Sequence, residues 1–416
     1  MLIGFMSDMP AIANKILLIV LDGGSDRPVN GTTPLASADK PGLDALANGG
    51  INGIMDTVDI GVRPGSDVSH LALLGYDPYK YYTGRGPFEA AGVGIDVKKG
   101  DVAFRCDFAT VEDGTVKDRR AGRIQDTDAL AAAISEKVKV PGVDIIFKRS
   151  TGHRAALVLR GKGLSPDITD TDPHRDGLRL KECRATADTP EAKHTAGVVN
   201  SISEQAMGVL GDHPLNVDRK KQRLLPANAI LLRGAGGVPE MPDFYGKYDM
   251  KGAVIASAGL IIGVGKLCGM ECLTVGEMGA GLSGATERAK VEKAIAALGT
   301  HDFVLVNIKG ADEAGHDGDF AKKKKFFEEM DPAFQSLLHL QRVLVIVTAD
   351  HSTPVLVKRH TADPVPIVIH GPGVRIDDVS RFNELIAYQG GLHRLKGLDV
   401  MPIALDLLDK EEKYGA

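Results

Sequence analysis

The stretch Lys15-Ile-Leu-Leu-Ile-Val-Leu21, followed by Asp22-Gly-Gly24, carries the clearest fold signal in the chain. A short, continuous apolar run of this kind is typical of a parallel strand that is buried on both faces. Open α/β sheets place their ligands beyond the carboxyl ends of such strands, which is where Asp22 lies. Taken alone, Asp22 could equally be a turn residue beside glycine.

Two later apolar segments repeat this pattern, and acidic and imidazole side chains follow each of them. They are residues 302–308, followed by Asp312 and His316, and residues 343–347, followed by Asp350 and His351. Because the parallel strands of a doubly wound sheet share one carboxyl edge, we expect these side chains to converge there. The pattern indicates an α/β fold with a doubly wound, mostly parallel sheet.

Further elements are predicted around these three strands from apolar patterning and turn residues. Strands are expected at 51–55, 271–275 and 364–370, and helices at 42–47, 259–269, 286–298 and 399–408. The lysines of 322–325, followed by two glutamates, indicate the solvated start of a helix. The sheet domain thus occupies both ends of the chain.

The sequence pattern changes in the middle of the chain, after an aromatic, glycine-containing segment at 76–87 that we interpret as a linker or hinge. Short apolar segments separated by turn residues then predict antiparallel strands at 102–108, 144–148 and 155–160, with helices at 126–138 and 194–210. We therefore predict an α/β domain of residues 1–87 and 249–416, interrupted by a smaller α+β domain of residues 88–248.

Composition excludes several classes of protein. The 416 residues are 43% hydrophobic and 25% charged, with a net charge of −5, so nothing favours a nucleic-acid or membrane-surface partner. The sequence has no apolar run near the ~18 residues of a membrane span and no recognisable leader, which predicts a cytoplasmic protein. Cys268 and Cys272 could share a helical face, and two buried thiols are favoured there over a metal site.

A second informative stretch is Arg63-Pro-Gly-Ser-Asp-Val-Ser-His70, followed by Leu-Ala-Leu-Leu-Gly75. Pro64 and Gly65 indicate a loop, and the leucines after it indicate a short helix. Ser66 then lies at or just before a helix N-terminus, where free N–H groups and the helix dipole favour an anion. A serine in this place is most often a helix cap, so a nucleophilic role depends on other residues.

Those other residues have the donor types of a metal site. They are Asp22, Asp312, His316, Asp350, His351 and, on a returning loop, His360. Mixed oxygen and nitrogen donors suit Mn²⁺, Zn²⁺ or Co²⁺ better than Ca²⁺, and so many ligands fit two ions better than one tetrahedral ion. The adjacent Asp350 and His351 could bind opposite sides of a shared or bridged site, or one of them could contact a ligand and not the ion itself. The spacing leaves both alternatives open.

The middle region also places arginine and histidine beside glycine in several loops. These are the segments 118–123, 152–154, 170–175 and 232–236. Arginine offers a fixed fork of donors that matches phosphate and carboxylate, and glycine allows a ligand to approach the backbone closely. Together the loops favour a small anionic substrate, although any one arginine among them could simply be solvated.

Five motifs carry a family resemblance, and they follow one another in order along the chain. They are Leu-Asp22-Gly, Gly-Ser66-Asp-Val-Ser-His70, Asp312-x-x-x-His316, Thr-Ala-Asp350-His351-Ser and His360-Thr-x-Asp-Pro-Val-Pro366. This set resembles the alkaline phosphatase superfamily and, more closely, the archaeal-type branch of the cofactor-independent phosphoglycerate mutases. The resemblance covers nearly the whole chain, including the inserted domain.

The resemblance implies two divalent ions, most often Mn²⁺, with Mg²⁺, Co²⁺ or Zn²⁺ as alternatives. By position, one ion would be held by Asp22, Ser66, Asp350 and His351, and the other by Asp312, His316 and His360. The family also binds its substrate through the inserted domain. Matching loop types only, the substrate-binding candidates are Arg123, His153, Arg154 and Arg233, with Lys290 of the sheet domain as a further one.

The implied activity is the interconversion of 3-phosphoglycerate and 2-phosphoglycerate through a phosphoserine at Ser66, without 2,3-bisphosphoglycerate. The partner would be this small molecule, with no nucleic acid or membrane, and a homo-oligomer is allowed. Retention of glycerate would separate this activity from the alternatives, a metal-dependent phosphatase or a phosphopentomutase of the same superfamily. A third alternative is a non-enzymatic anion sensor in which the metal cluster is structural and Ser66 has no role.

Overall fold

The computed structural model describes residues 12–276 and 284–415. The described strands are β1 Lys15–Leu21, β2 Gly50–Asp56, β3 Val102–Glu112, β4 Thr115–Asp118, β5 Val143–Arg149, β6 Arg154–Gly161, β7 Ala229–Gly236, β8 Gly252–Ile255, β9 Glu271–Leu273, β10 Phe303–Ile308, β11 Val343–Thr348, β12 Val365–His370 and β13 His393–Lys396.

The described α-helices alternate with these strands along both ends of the chain. They are α1 Pro34–Ser37, α2 Pro41–Asn48, α3 Ser66–Leu73, α4 Pro78–Tyr81, α5 Gly86–Gly92, α6 Asp128–Lys137, α7 Pro190–Gly211, α8 Pro214–Lys221, α9 Phe244–Tyr248, α10 Gly259–Leu267, α11 Gly284–Ala297, α12 Gly310–Asp317, α13 Phe320–Leu337 and α14 Val400–Leu407. Among them, none combines the length and apolar character that crossing a membrane requires.

The larger sheet has eight strands in the described residues, in the order β13-β2-β12-β11-β1-β10-β8-β9. β1 lies in its centre and pairs in parallel with both β10 and β11. Only β12 runs antiparallel to its neighbours within this described sheet. The α/β fold with a mostly parallel sheet is therefore confirmed, and the three strands predicted to end in functional residues are adjacent.

The core of this unit explains why the three central strands are continuously apolar. Residues 16–20 of β1 have no exposed surface, because side chains on both faces of the strand are covered. One face packs against α2, α11 and α13, where Leu43, Val291 and Phe334 join the strand residues in one apolar cluster. A strand buried on both faces cannot alternate polar and apolar residues, so the sequence is apolar throughout.

The chain divides into two compact units, one of residues 1–80, 241–261 and 268–416 and one of residues 81–240 and 262–267. The second unit contains an antiparallel sheet in which β3 pairs with β4, β6 and β7, and β6 also pairs with β5. An α+β unit is thus inserted into the α/β unit. Its described boundaries lie at 80/81 and 240/241, compared with 87/88 and 248/249 in the prediction.

The segment 76–87, interpreted from the sequence as a linker or hinge, is structured. It contains α4 and the start of α5. In the inserted unit, Tyr82 stacks on Phe88 with ring centroids 5.8 Å apart, and Gly86 lies so close to the backbone of Ala103 that a Cβ there would overlap it. Of the aromatic residues in this segment, Tyr76 is buried and Tyr82 is stacked, whereas Tyr79 is exposed.

One local prediction is wrong and a second holds only in part. Cys268 follows the end of α10 and Cys272 lies in β9, so these thiols do not share a helical face. The lysine run 322–325 does lie in the exposed first turns of α13, where Lys322 and Lys325 are solvated, but Lys323 is fully buried. In both cases tertiary packing decides the environment of a residue whose local sequence indicates something else.

Lys323 connects α13 to the two loops that follow β1 and β11. Its Nζ donates to the carbonyl oxygens of Ser25 and Thr353 and to the carboxylate of Asp26, each at 2.9 Å. All three donors of the ammonium are therefore satisfied, as a buried charge requires. Since these loops carry Asp22 and Asp350, the contacts of Lys323 hold the two loops together at the carboxyl edge of the sheet.

We expect Lys323→Met to reduce the free energy of unfolding by about 3 kcal/mol or more, because it leaves Asp26 as an uncompensated buried carboxylate. Chemical denaturation of the purified variant measures this loss. The matched control is Lys324→Met, which removes the half-exposed pair with Glu328 and should change stability by less than about 1 kcal/mol. Equal losses in the two variants would contradict the role of the buried pair.

Candidate metal centre

The three central strands bring the predicted ligands to one edge of the sheet. Asp22 follows β1, α12 follows β10 and carries Asp312 and His316, and Asp350 and His351 follow β11. Asp22, Asp350 and His351 are all at least 99% buried. The convergence predicted from strand polarity is therefore present, and its inner members have little access to solvent, whereas His316 is exposed.

One group of side chains is centred on His351. Its Nε2 lies 3.2 Å from Ser66 Oγ, 3.3 Å from Asp350 Oδ2 and 3.6 Å from Asp22 Oδ1. Asp350 is fixed through its other oxygen, which accepts a hydrogen bond from the Gly23 backbone N–H at 3.0 Å. The four side chains that the resemblance assigns to one ion are therefore in one place.

A second group is centred on Asp312. Its Oδ1 lies 3.3 Å from His316 Nε2 and 3.5 Å from His360 Nε2. These three residues can offer ligand atoms that all lie within 4.8 Å of one another, and so can Asp22, Asp312 and His351. The two groups are contiguous, since the rings of His351 and His360 stack with centroids 3.5 Å apart.

Each of the three histidines is held through Nδ1. That atom lies 3.0 Å from the Lys358 carbonyl in His316 and 3.1 Å from the Pro64 carbonyl in His360. A carbonyl oxygen only accepts, so in both rings Nδ1 carries the proton and donates. His351 Nδ1 lies 3.1 Å from Thr353 Oγ1, whose own hydroxyl donates to Asp312 Oδ1.

In its neutral form, each ring then has the lone pair of Nε2 facing carboxylate oxygens. Metal-binding histidines are oriented in this way, with the other nitrogen donating to an oxygen. Two of the buried carboxylate oxygens, Asp22 Oδ1 and Asp350 Oδ2, have no hydrogen-bond partner among the described residues. Lone pairs facing unpartnered anionic oxygens require a cation between them, so the donor set fits divalent metal ions.

The electrostatics of the centre show how much these groups depend on one another. Burial, followed by the neighbouring charge of Asp350, raises the pKa of Asp22. Burial also lowers the pKa of His351 to about 3, which keeps this ring neutral and its Nε2 free to bind a metal ion. For Asp312, burial alone would raise the pKa, but the ammonium of Lys309 outweighs it and holds the pKa well below its usual range.

Ser66 is the first residue of α3, and Gly65 occupies the cap position. The serine side chain is therefore not the helix cap, which was the main alternative interpretation of its sequence position. Its hydroxyl instead donates toward His351 Nε2. The positive end of the helix dipole lies at the same point, so a negative group on Ser66 would be stabilised.

Four residues near the centre were not predicted from the sequence: His70, Asn307, Lys309 and Thr353. Asn307 Nδ2 donates to Asp22 Oδ2 at 3.1 Å, and His70 Nδ1 donates to the Ser66 carbonyl at 2.7 Å. Lys309 directly follows β10 in the chain, as Asp22 follows β1, so its place after a buried strand was an available signal. Its contacts depend on the tertiary structure.

In the inserted unit, the strand pairing assembles a second cluster of charged side chains. In the register of β3 with its neighbours, Asp107 pairs with Arg154 and Arg105 pairs with Arg233. The Asp107 carboxylate lies 3.1 Å from Nη2 of both Arg105 and Arg233, and 3.8 Å from His153 Nε2. Three of the four substrate-binding candidates from this unit therefore lie together.

This cluster is rich in cations and only partly neutralised. Asp107 and Arg105 are both buried, and burial together with Arg105 lowers the pKa of Arg233 to about 10. Burial also lowers the pKa of His153 to about 4, so this ring is neutral near pH 7. Arginines that lower each other's proton affinity favour an additional anion, which is the role predicted for them.

The remaining two candidates lie elsewhere. Arg123 is exposed in a turn with φ near +56° and does not contact the cluster around Asp107 in the described contacts. Lys290 is buried in the sheet unit, where its Nζ donates to both carboxylate oxygens of Glu287, at 2.8 and 2.9 Å. It also donates to the carbonyl of Asn307, whose side chain donates to Asp22. Both assignments stay predictions.

Comparison with known proteins gives the relationship of the whole chain. Residues 47–216 match the model of the 2,3-bisphosphoglycerate-independent phosphoglycerate mutase family. A 2,3-bisphosphoglycerate-independent phosphoglycerate mutase of Archaeoglobus fulgidus is 54% identical over 409 residues, covering 96% of this chain and all of the relative. The chain belongs to this family. The resemblance noted in the five motifs is thereby confirmed.

Other phosphoglycerate mutases of this family agree in sequence and in structure. The 2,3-bisphosphoglycerate-independent phosphoglycerate mutase of Methanoculleus marisnigri is 50% identical over 414 residues, covering 97% of this chain and all of the relative. A solved cofactor-independent phosphoglycerate mutase from Thermoplasma acidophilum superposes with a TM-score of 0.68 at 41% identity, covering 95% of this chain and all of that one. A solved protein from Pyrococcus horikoshii gives 0.83 at 36% identity, with 97% and 100% coverage.

Proposed function

We propose that this chain interconverts 3-phosphoglycerate and 2-phosphoglycerate without 2,3-bisphosphoglycerate. The observation that carries the proposal is the position of Ser66 at the helix N-terminus, with its hydroxyl 3.2 Å from His351 inside a metal-type donor set. The names of the relatives agree with it. The reaction is an isomerisation, because the phosphoryl group leaves one hydroxyl of glycerate and returns to the other.

In the first half-reaction, Ser66 Oγ attacks the phosphorus of 3-phosphoglycerate. The Oγ–P bond forms while the bond from phosphorus to the 3-oxygen of glycerate breaks, and the serine proton goes to that departing oxygen. In the second half-reaction, the 2-oxygen of glycerate forms a bond to phosphorus while the bond from phosphorus to Ser66 Oγ breaks, and the proton of the 2-hydroxyl goes to Oγ. The N-terminal end of α3 stabilises the phosphoserine between the two steps.

We propose that Asp22, Ser66, Asp350 and His351 hold one divalent ion and Asp312, His316 and His360 hold the other. When bound, the ions lower the pKa of the Ser66 hydroxyl and offset charge on the transferring phosphoryl oxygens. Mn²⁺ is the proposed ion, with Mg²⁺, Co²⁺ or Zn²⁺ as alternatives, because the donors mix carboxylates with imidazoles.

The arginine cluster around Asp107 supports a mutase over a phosphatase. A phosphatase releases its alcohol to solvent, whereas a mutase must keep glycerate bound while the phosphoryl group is on the serine. Glycerate carries its own carboxylate, and Arg105, Arg154 and Arg233 offer donors that match it. We assign retention of glycerate to these arginines and to His153, with Arg123 and Lys290 as further candidates.

The deciding assay uses the metal-loaded protein with 3-phosphoglycerate and Mn²⁺ in the absence of 2,3-bisphosphoglycerate. We expect 2-phosphoglycerate to accumulate toward equilibrium with little free phosphate, since glycerate is retained. Release of phosphate without 2-phosphoglycerate would instead assign the chain as a metal-dependent phosphatase. If the protein converts neither phosphoglycerate but isomerises a pentose phosphate, it is a phosphopentomutase.

We expect Arg154→Ala to raise KM for 3-phosphoglycerate by about 10- to 100-fold, because one charge-assisted hydrogen bond to the substrate contributes about 1.5–3 kcal/mol. Free phosphate should rise as a fraction of product, because glycerate is held less well. Steady-state kinetics that follow both 2-phosphoglycerate and free phosphate give the KM and the fraction of product released as phosphate. The control is Arg149→Ala, which removes an arginine paired with Asp126 on the surface and should leave both numbers unchanged.

A rise in free phosphate equal in both variants would contradict the role of Arg154 in holding glycerate. A cytoplasmic location stays a prediction from the sequence. The sequence allows a homo-oligomer without predicting one, and sedimentation of the purified protein measures the oligomeric state.

A further inference from the structure

Lys309 contacts two carboxylates, one from the ligand set of each proposed ion. Its Nζ donates to Asp22 Oδ2 at 3.2 Å and to Asp312 Oδ2 at 2.8 Å. We propose that Lys309 is a positioning residue that leaves each of these carboxylates only one oxygen for a metal ion, and thereby selects small divalent ions over Ca²⁺. The inference rests on the proposed metal ligands and goes beyond them by assigning what sets the choice of metal.

The two oxygens of each carboxylate have different surroundings. Asp22 Oδ2 accepts from both Lys309 Nζ and Asn307 Nδ2, whereas Asp22 Oδ1 has no hydrogen-bond partner in the described contacts and lies 3.6 Å from His351 Nε2. Asp312 shows a similar division. Its Oδ2 accepts from Lys309, and its Oδ1 faces His316 and His360 and accepts one hydrogen bond from the Thr353 hydroxyl.

In both carboxylates the ammonium therefore contacts Oδ2, whereas the described histidine contacts are to Oδ1. Lys309 is also anchored through its backbone, since its N–H donates to Glu287 Oε2 at 3.0 Å. Glu287 is in turn paired with Lys290 and fully buried, so the base of the Lys309 side chain is held in place.

The number of available oxygens decides which ions such a centre accepts. Ca²⁺ takes six to eight oxygen ligands and commonly binds a carboxylate through both oxygens. Smaller ions such as Mn²⁺ and Zn²⁺ are satisfied by one oxygen per carboxylate together with imidazole nitrogens. With Lys309 in place, Asp22 and Asp312 together lose two oxygens that Ca²⁺ would use.

The test measures the binding of Mn²⁺ and Ca²⁺ to the metal-stripped, full-length protein. Electron paramagnetic resonance gives the free Mn²⁺ concentration, and displacement by Ca²⁺ gives the ratio of the Ca²⁺ and Mn²⁺ dissociation constants. In Lys309→Met we expect this ratio to fall at least tenfold, because Asp312 Oδ2 loses its lysine partner and Asp22 Oδ2 keeps only the neutral Asn307 donor. Lys309→Arg retains the charge and the donors and should keep the ratio within about threefold of the parent protein.

The control variant is Lys322→Met, which breaks an exposed pair with Asp317 of the same 2.8 Å length and should leave the ratio unchanged. If Lys309→Met tightens both ions by the same factor, the lysine acts only through its charge and the inference is overturned. If the parent protein binds neither ion, the proposed metal centre itself fails. Should Lys309→Met not fold, judged by circular dichroism, Lys309→Ala provides the same comparison, since alanine also has no donor for the two Oδ2 atoms.

Discussion

Ser66→Ala is expected to reduce kcat for the interconversion of the phosphoglycerates by at least about 10⁴-fold. The hydroxyl is the phosphoryl acceptor in the proposed reaction, and alanine has no atom that can replace it. Incubation with isotopically labelled substrate should label the parent protein on Ser66 and leave the variant unlabelled. Because Gly65 and not Ser66 occupies the cap position of α3, the variant should unfold at the same denaturant concentration as the parent.

A helix cap elsewhere in the chain supplies the opposite case. Thr189 caps α7, and its side chain accepts a hydrogen bond from the Ala192 N–H at 3.2 Å. Thr189→Ala should cost about 1 kcal/mol of stability and leave kcat unchanged. If Ser66→Ala behaved like Thr189→Ala, with full turnover and reduced stability, Ser66 would be a structural serine and the proposed mechanism would be wrong.

Asp312→Asn is expected to lower kcat/KM by at least about 10³-fold and to weaken binding of Mn²⁺ by more than about 100-fold. The substitution retains the shape of the side chain but removes the negative charge on which His316, His360 and Lys309 converge. Isothermal titration of the metal-stripped protein measures the binding, and the coupled assay at saturating Mn²⁺ measures the rate.

Asp317→Asn is the matched control for this prediction. Asp317 is the last residue of the same helix, α12, and its carboxylate pairs with Lys322 while half-exposed. Its loss should change neither Mn²⁺ binding nor kcat/KM by more than about twofold, since surface ion pairs contribute little. Unaltered Mn²⁺ binding by Asp312→Asn would remove Asp312 from the ligand set.

The prediction from the sequence was most successful where the chemistry follows the ends of strands. Asp22, Asp312 and Asp350 each come after an apolar run. If these runs are parallel strands of one sheet, the carboxyl ends of the strands lie at the same edge. That argument needs only the direction of the strands, which the apolar pattern supplies. The five motifs then added the assignment of ligands to two ions, which spacing alone had left open.

The inserted unit was harder to predict because its function depends on strand register. Arg154 and Arg233 stand in loop-like stretches beside glycine, but their meeting point is set by the pairing of β6 and β7 with β3. A register shift of one residue in β3 would turn the side chains of Asp107 and Arg105 to the other face of the sheet. Arg105 and Asp107 themselves lie in an apolar strand and gave no separate signal.

The lysines show the same limit most clearly. Lys323 lies in a run of four lysines, where a lysine is usually solvated, and Lys309 follows a buried strand with no acidic residue directly beside it. Each donates to a carboxylate far away in the chain, Lys309 to Asp22 and Lys323 to Asp26. A local pattern does not reveal a partner almost 300 residues away.

The sequence by itself determined the strands, their common carboxyl edge and the chemical types of the groups gathered there. These follow from local apolar patterning, because a strand buried on both faces must be apolar along its length. Only the tertiary structure decided which oxygen of Asp22 and Asp312 faces the histidines and which is taken by Lys309. The physical reason is that hydrogen bonds fix the orientation of a side chain, and their partners are brought together only by folding.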